Sequence, residues 1–245
     1  MVAMLNQFVQ KLKKLAELNA ADVGALSAVT SQPKDYRPKQ DMIREGDRPG
    51  PVFVILEGWA CRYKILPGGT RQIMAFLLPG DCCDLHVGIL AEMDHSLQAL
   101  TPCSVALITG GRMETLLEEH PAVARAMYKA QLIDEGILRS WIVSMGRRSS
   151  KERVAHLMCE LYLRSLSIDS DDEVAFPISQ IVVADALGMT PVHVNRILRA
   201  LREAGAMSLK RGRLSIKNPL KLVEIAGFDE NYLHRRKATA SHQLH

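Results

Sequence analysis

The chain has 245 residues, 47% of them hydrophobic and 24% charged, which is typical of a globular protein long enough for two domains. It contains neither the roughly 18-residue apolar run of a membrane helix nor an evident secretory signal, so we expect a cytoplasmic protein with no membrane partner. Residues 1–138 carry 14 Lys and Arg against 16 Asp and Glu, whereas residues 139–245 carry 17 against 11, so the C-terminal part is suited to a polyanionic partner.

The first part of the chain predicts two helices followed by a β-roll. Residues 4–29 have helical spacing, interrupted where Asn19 and Asp22 form an N-cap pattern. From about Asp35, short apolar runs such as VFVILEG, QIMAFLLPGD and SVALITGG alternate with glycine turns. This alternation predicts a domain over residues 1–113 that consists of the N-terminal helices and a compact antiparallel roll.

Residues 114–146 predict one long helix with two apolar seams. We assign dimerisation to a seam near heptad spacing and to one neighbouring tryptophan: Ala126, Ala130, Ile133, Ile137, Ser144 and Trp141. A second seam contains Leu132, Leu138, Trp141 and Met145. Two seams on one helix suggest packing against its own domain on one side and a partner on the other. The alternative is one broad buried face with no partner.

A second domain is predicted from residue 147 to 232, followed by a disordered tail over 233–245. Its first helix begins at Ser149, which forms a capping box with Glu152. In the segment ISQIVVADALGMTPVHVNRILRALREAG, a helix ends at Gly188 and a second begins with Thr190 as its N-cap. Two short strands, MSLK and RLSI, follow and form a hairpin with a basic tip.

This arrangement predicts a winged helix-turn-helix that binds double-stranded DNA. Its second helix buries apolar residues at i, i+3, i+4 and i+7 and exposes polar ones. Arg196 is best suited to guanine or phosphate, while Asn195 and His193 can bond base edges. The full predicted DNA-binding set is Gln180, Thr190, Val192, His193, Asn195, Arg196, Arg199, Lys210, Arg211 and Arg213. Two packed helices with a solvated basic face are the alternative.

With these motifs in order, the chain from about residue 20 to 228 resembles the Crp/Fnr family of bacterial transcription regulators. The resemblance implies an α+β protein with an N-terminal antiparallel β jelly roll of the cyclic-nucleotide-binding type, a long dimerisation helix and a C-terminal winged helix-turn-helix. It also implies a homodimer on a palindromic operator, with RNA polymerase as a further partner. The family's cytosine-reading glutamate is replaced by Val192, so the operator sequence cannot be inherited.

The resemblance also implies where an effector would bind, and the key residues differ there. Leu85 stands where cyclic-nucleotide binders have a ribose-binding glutamate, and His95, followed by Ser96, stands where they have a phosphate-binding arginine. Leucine cannot accept a hydrogen bond and histidine is a poor bidentate donor, which argues against cAMP. Since no cysteine precedes Cys61, the N-terminal iron–sulfur ligands of the oxygen-sensing branch are absent too.

The stretch CCDLH leaves further alternatives open for an otherwise unknown effector. His86 falls at the position of a haem-ligating histidine in the family's carbon monoxide sensor, and Cys83 lies one residue from the accompanying cysteine position. A redox role for Cys82 or Cys83 needs a lowered pKa, which the flanking aspartates oppose. A Cys–His hydrolase is a remote alternative, because the chain lacks an oxyanion-hole pattern. The expectation is small buried thiols, no required cofactor or metal, and a tentative effector pocket at Cys83, Leu85, His86, His95 and Ser96.

Overall fold

The computed structural model describes residues 5–83, 85, 89–166, 168 and 173–235. Two helices open it, α1 (Gln7–Leu15) and α2 (Ala20–Val29). Asn19 caps α2 through the predicted capping box, with Asn19 Oδ1 accepting from the Asp22 backbone N–H and Asp22 Oδ2 accepting from that of Asn19, both at 2.9 Å. Helix α1 lies on the roll and buries Phe8, Val9 and Leu12, since these fall on one helical face.

The roll consists of two four-stranded antiparallel sheets. The strands are β1 (Lys34–Tyr36), β2 (Asp41–Ile43), β3 (Val52–Glu57), β4 (Ala60–Ile65), β5 (Arg71–Leu77), β6 (Cys82–Cys83), β7 (Ser96–Ala99) and β8 (Cys103–Ile108). One sheet has the order β1-β8-β3-β6 and the other β2-β7-β4-β5. An apolar cluster between them includes Phe53, Ile55, Met93, Leu97 and Val105. The predicted jelly roll is therefore confirmed.

The long helix begins later than predicted. Helix α3 (Gly110–Glu119) ends before His120, and α4 (Pro121–Arg147) begins there with proline in its first turn. The prediction of one continuous helix from residue 114 is therefore wrong, because the pattern ETLLEEHPAVAR continues helically through a break that Pro121 imposes.

The structure also corrects the face of α4 assigned to a partner. Five of the six residues predicted for dimerisation are buried within their own chain and the sixth is half-buried: Ala126, Ala130, Ile137, Trp141, Ser144 and Ile133. The exposed apolar residues of α4 lie on another face: Tyr128, Leu132, Leu138, Ile142, Val143 and Met145. Both faces have helical spacing, so the sequence could not decide which one packs against the roll and the C-terminal domain.

The C-terminal domain contains α5 (Ser150–Ser165), β9 (Glu173–Ala175), α6 (Gln180–Leu187), α7 (Pro191–Glu203), β10 (Met207–Lys210), β11 (Arg213–Ile216) and α8 (Pro219–Ala226). The predicted capping box at Ser149 and Glu152 opens α5. A 3₁₀ helix, Glu230–Leu233, follows α8, and Leu233 is buried. The predicted tail boundary at residue 233 is therefore too early, and residues 236–245 of that tail lie outside the described residues.

The two domains share a continuous apolar core. Trp59 and Phe76 of the roll contact Phe176 and Trp141, with ring centroids about 6 Å apart. Around this core, Arg71 of β5 forms an ion pair with Asp185 of α6 at 2.7 Å. The winged domain therefore lies directly on the sheet that contains β4 and β5. No helix among the described residues is long and apolar enough to cross a membrane.

A buried charge network reinforces the same interface. Asp81, in the turn before β6, accepts hydrogen bonds from Lys11 Nζ at 2.5 Å, Arg164 Nη2 at 2.8 Å and the Leu78 backbone N–H at 2.7 Å. Arg164 also lies 3.3 Å from the Glu160 carboxylate. Burial opposes an ionised Asp81, but the charges of Lys11 and Arg164 outweigh it and lower the pKa of Asp81 to about 2. One carboxylate thus links α1, the roll and α5.

Candidate DNA-binding surface

Helices α6 and α7 form the predicted helix-turn-helix. The Ser179 hydroxyl accepts from the Val182 backbone N–H and begins α6. Gly188 ends α6 with φ of 62°, and a Cβ there would lie 3.1 Å from Met145 Cε. Thr190 Oγ1 accepts from the His193 backbone N–H at 3.2 Å, which starts α7 at Pro191. Local residue choices therefore fix the geometry of the turn.

Helix α7 has one buried and one exposed face. Its apolar residues pack into the shared core: Val194, Ile197, Leu198 and Leu201. Asn195 and Arg196 are exposed, and Val192 is 81% exposed. Arg196 Nη2 lies 2.7 Å from Nδ1 of the half-buried His193, so the guanidinium donates when that nitrogen carries no proton. Arg199 forms an ion pair with Glu203 at 2.8 Å. The exposed face presents the donors and acceptors that base edges require.

Helix α5 contributes to the same surface, which the sequence did not indicate. Ser150 and Arg153 line a groove of about 530 Å³ together with residues of the turn and α7. Arg153 Nη1 donates to the Leu187 carbonyl at 3.2 Å and so ties α5 to the end of α6. The capping box located the start of α5, but no local pattern indicates that this start lies beside α7.

The hairpin forms the predicted wing and gains a third strand. Lys210 pairs with Arg213, and Arg211 and Gly212 between them have φ of 50° and 71°, as a type I′ turn requires. Strand β9 pairs with β11, an addition that the sequence did not reveal. Arg213 donates to the Glu173 carbonyl and lies 3.9 Å from the Glu173 carboxylate. Lys210 and Arg211 are exposed at the tip, as is Gln180 at the start of α6.

The residues predicted for an effector pocket do not share one environment. Cys83 is fully buried between the two sheets, where its sulfur accepts from Arg62 Nε at 3.0 Å. Leu85 instead packs in the cluster formed with the N-terminal helices. His95 is buried, with Nδ1 2.7 Å from the Asp94 carboxylate, and Ser96 Oγ accepts from the Glu45 backbone N–H at 3.0 Å. His86 lies outside the described residues.

Leu85 and His95 occupy the positions at which the resemblance implies ribose and phosphate contacts in cyclic-nucleotide binders. Leu85 offers no acceptor for a ribose hydroxyl and packs away from the space between the sheets. His95 stands at the position of the phosphate-binding arginine, and its ring lies beside the Asp94 carboxylate. The negative charge of Asp94 opposes an anionic ligand.

Burial makes four of the five described thiols weaker acids than an exposed cysteine. Burial raises the pKa of Cys61, Cys82 and Cys159 to about 12, and it also raises the pKa of Cys103. Neighbouring carboxylates act in the same direction at Cys82, where Asp134 and Asp81 add to the effect of burial. Among the described residues, no three His, Cys, Asp or Glu side chains are grouped so as to hold a metal ion.

Comparisons with known proteins agree with this architecture. Residues 33–120 match the cyclic nucleotide-binding domain and residues 152–225 match the Crp-like helix-turn-helix domain. The chain is 30% identical to the nitrogen fixation regulation protein FixK of Bradyrhizobium diazoefficiens, over 76% of this chain and 78% of that one. It is 25% identical to the transcriptional activator protein FnrL of Cereibacter sphaeroides, over 81% and 82% of the two chains.

Solved structures give the same result. FixK2 from Bradyrhizobium japonicum superposes with a TM-score of 0.71 at 25% identity, over 79% of this chain and 96% of that one. The relatives are transcription regulators rather than enzymes, which removes the hydrolase alternative. The predicted resemblance is confirmed, and the chain belongs to the Crp/Fnr family of transcription regulators.

Proposed function

We propose that the protein is a homodimeric regulator that binds a two-fold symmetric DNA operator and responds to a signal other than a cyclic nucleotide. One observation supports this DNA-binding mode above all. Helix α7 is capped, its apolar face is buried, and it exposes Asn195 and Arg196 beside a basic wing. Helix α7 enters the major groove, where Arg196 bonds guanine or phosphate and Asn195 bonds a base edge. Lys210, Arg211, Thr190 and Gln180 contact the backbone.

Dimerisation uses the exposed face of α4. Leu132, Leu138, Ile142 and Val143 are between 40% and 72% exposed, although a monomer gains nothing from presenting such a stripe to water. A second copy of α4 in a two-fold arrangement buries it in the manner of a coiled coil. The dimer then presents two copies of α7 to two half-sites, and RNA polymerase is the expected further partner on promoter DNA.

Leu85 and His95 argue against cAMP as the signal. Neither supplies the groups that a ribose hydroxyl and a phosphate need, and Asp94 adds a repelling charge. Redox control through a described thiol is disfavoured, since four of the five thiols are buried and Cys82 is half-buried. Burial also raises the pKa of Cys61, Cys82, Cys103 and Cys159. A haem role for His86 stays a prediction that an absorption spectrum tests by the presence or absence of a Soret band.

Fluorescence anisotropy with an operator selected by the wild-type protein tests the DNA-binding mode. Arg196→Ala should weaken binding to this operator about 5- to 150-fold, as expected for a bidentate base contact. Arg112→Ala is the matched control, because Arg112 is exposed on α3 and lies in the other domain. Equal affinities of wild type and Arg196→Ala would refute the role of Arg196. Adding cAMP should leave the operator affinity of the wild type unchanged. A cAMP-dependent increase would refute the proposal that the signal is not a cyclic nucleotide.

A further inference from the structure

A cavity lies where the two domains meet, away from the space between the sheets. Its volume is about 610 Å³, within the range of small-molecule sites in proteins. The lining includes Lys11 and Leu15 of α1, Ile137 of α4, Leu163 of α5 and Leu233 of the 3₁₀ helix. Because every one of these elements contributes, the cavity exists in this form only while the domains keep this arrangement.

The cavity combines an apolar wall with an excess of positive charge. Leu78, Ile133, Ile137, Leu163 and Leu233 are buried or half-buried and supply the wall. Among the described residues that line it, five Lys or Arg side chains face two Asp side chains: Lys11, Lys13, Lys14, Arg164 and Arg235 against Asp81 and Asp134.

Both carboxylates of the lining already have cationic neighbours. Asp81 accepts from Lys11 and Arg164, and Asp134 lies 3.9 Å from Arg62, which is not part of the lining. Burial works against the charged form of Lys11, but Asp81 and Asp134 outweigh it and raise the pKa of Lys11, so its ammonium group stays charged. Arg164 also pairs with Glu160, and Arg235 pairs with Glu230 at 3.5 Å. With Arg62, Glu160 and Glu230 added to the lining, six cations stand against four carboxylates among the described residues. This net positive charge in a partly enclosed, low-dielectric space attracts an anion.

From this geometry we propose that the cavity binds a small amphipathic anion, a carboxylate on an apolar body. The carboxylate bonds Lys11 and Lys14, while the apolar body packs against Leu78, Leu163 and Leu233. Such a ligand stabilises the docked arrangement of the domains, because it binds only where elements of both are present. This site goes beyond the proposed function, since it adds an effector at the domain interface without depending on any mode of DNA recognition.

Calorimetric titration of the full chain with octanoate, in the absence of DNA, tests the site directly. Saturable binding with a Kd of about 1 mM or tighter is expected for a ligand of this size. Binding of 1-octanol and n-octylammonium should be at least about tenfold weaker, because the first lacks the charge and the second reverses it. Absence of saturable octanoate binding by the wild-type protein would overturn the proposal.

Three variants locate the binding. Lys11→Gln/Lys14→Gln should weaken octanoate at least about tenfold, and Leu15→Trp should do the same by filling the cavity while leaving every charge in place. Lys221→Gln is the control, because Lys221 is exposed on α8 and outside the lining. Octanoate binding that survives in both the double variant and Leu15→Trp would show that the ligand binds elsewhere. Operator affinity measured on the same preparations keeps a failure of this site distinct from a failure of DNA binding.

Discussion

Replacement of Asp81 by asparagine tests whether the buried charge network holds the domains together. The asparagine side chain would keep a similar shape and one acceptor but remove the charge that pairs with Lys11 and Arg164. Both cations are largely buried, with side-chain exposures of 28% and 12%, so water compensates little of the loss. Removing one partner of a buried ion pair costs about 3–5 kcal/mol.

The lowered pKa of Asp81 gives a contribution to the free energy of unfolding of similar size. A carboxyl with a pKa of about 2 when folded and 3.8 when unfolded contributes roughly 2 kcal/mol. Because the folded value is the lower one, this stability is present above about pH 4 and is lost as pH falls through about 2. At pH 7, Asp81→Asn should therefore lose about 3 kcal/mol of unfolding free energy, which for a chain of this length lowers Tm by roughly 6–12 °C.

Urea denaturation at fixed protein concentration measures this loss. The double variant Asp81→Asn/Lys11→Met should lose at least about 1 kcal/mol less than the two single losses combined, because it removes both partners of one ion pair. An Asp81→Asn loss below about 1 kcal/mol, or strictly additive single losses, would refute the reasoning.

Three further variants test the wing, the exposed face of α4 and a buried histidine. Arg211→Ala should weaken DNA binding uniformly across sequences and reduce the slope of log affinity against log salt by about 1, and an altered base preference would contradict a phosphate role. Ile142→Asp should yield folded monomers by sedimentation with unchanged circular dichroism, and a persistent dimer would exclude this face of α4. Burial lowers the pKa of His156 to about 4, so its contribution to stability is present above about pH 6.5 and lost as pH falls through about 4. His156→Phe should therefore flatten the stability profile between those values, and an unchanged profile would refute this.

Local chemistry explains why the C-terminal motif could be predicted in detail. Ser149, Ser179 and Thr190 each cap a helix through a hydrogen bond to a nearby backbone N–H, so adjacent residues decide where the helices begin. Gly188 and Gly212 occupy left-handed backbone positions for the same local reason. The apolar spacing of α7 determined its buried face, because only one face of that helix is apolar.

The sequence-based predictions were wrong or incomplete where contacts between residues far apart in the chain decide the structure. Helix α4 has two apolar faces, and only the folded chain shows that Trp141 bonds the buried Glu160 while Ile142 is exposed to water. Strand β9 is three residues long and forms by pairing with β11. No local sequence pattern predicts this pairing. The network around Asp81 joins residues 11, 81 and 164, whose sequence separation hides their contact.

In the proposed dimer, two copies of α7 related by a two-fold axis bind one operator. Repeated selection of random duplex DNA by the full-length protein, followed by sequencing of the bound pool, tests it most directly. We expect an inverted repeat whose half-sites are centred about 10 base pairs, or a multiple of that, apart. Enrichment of a direct repeat, of one isolated half-site or of no sequence at all would contradict it.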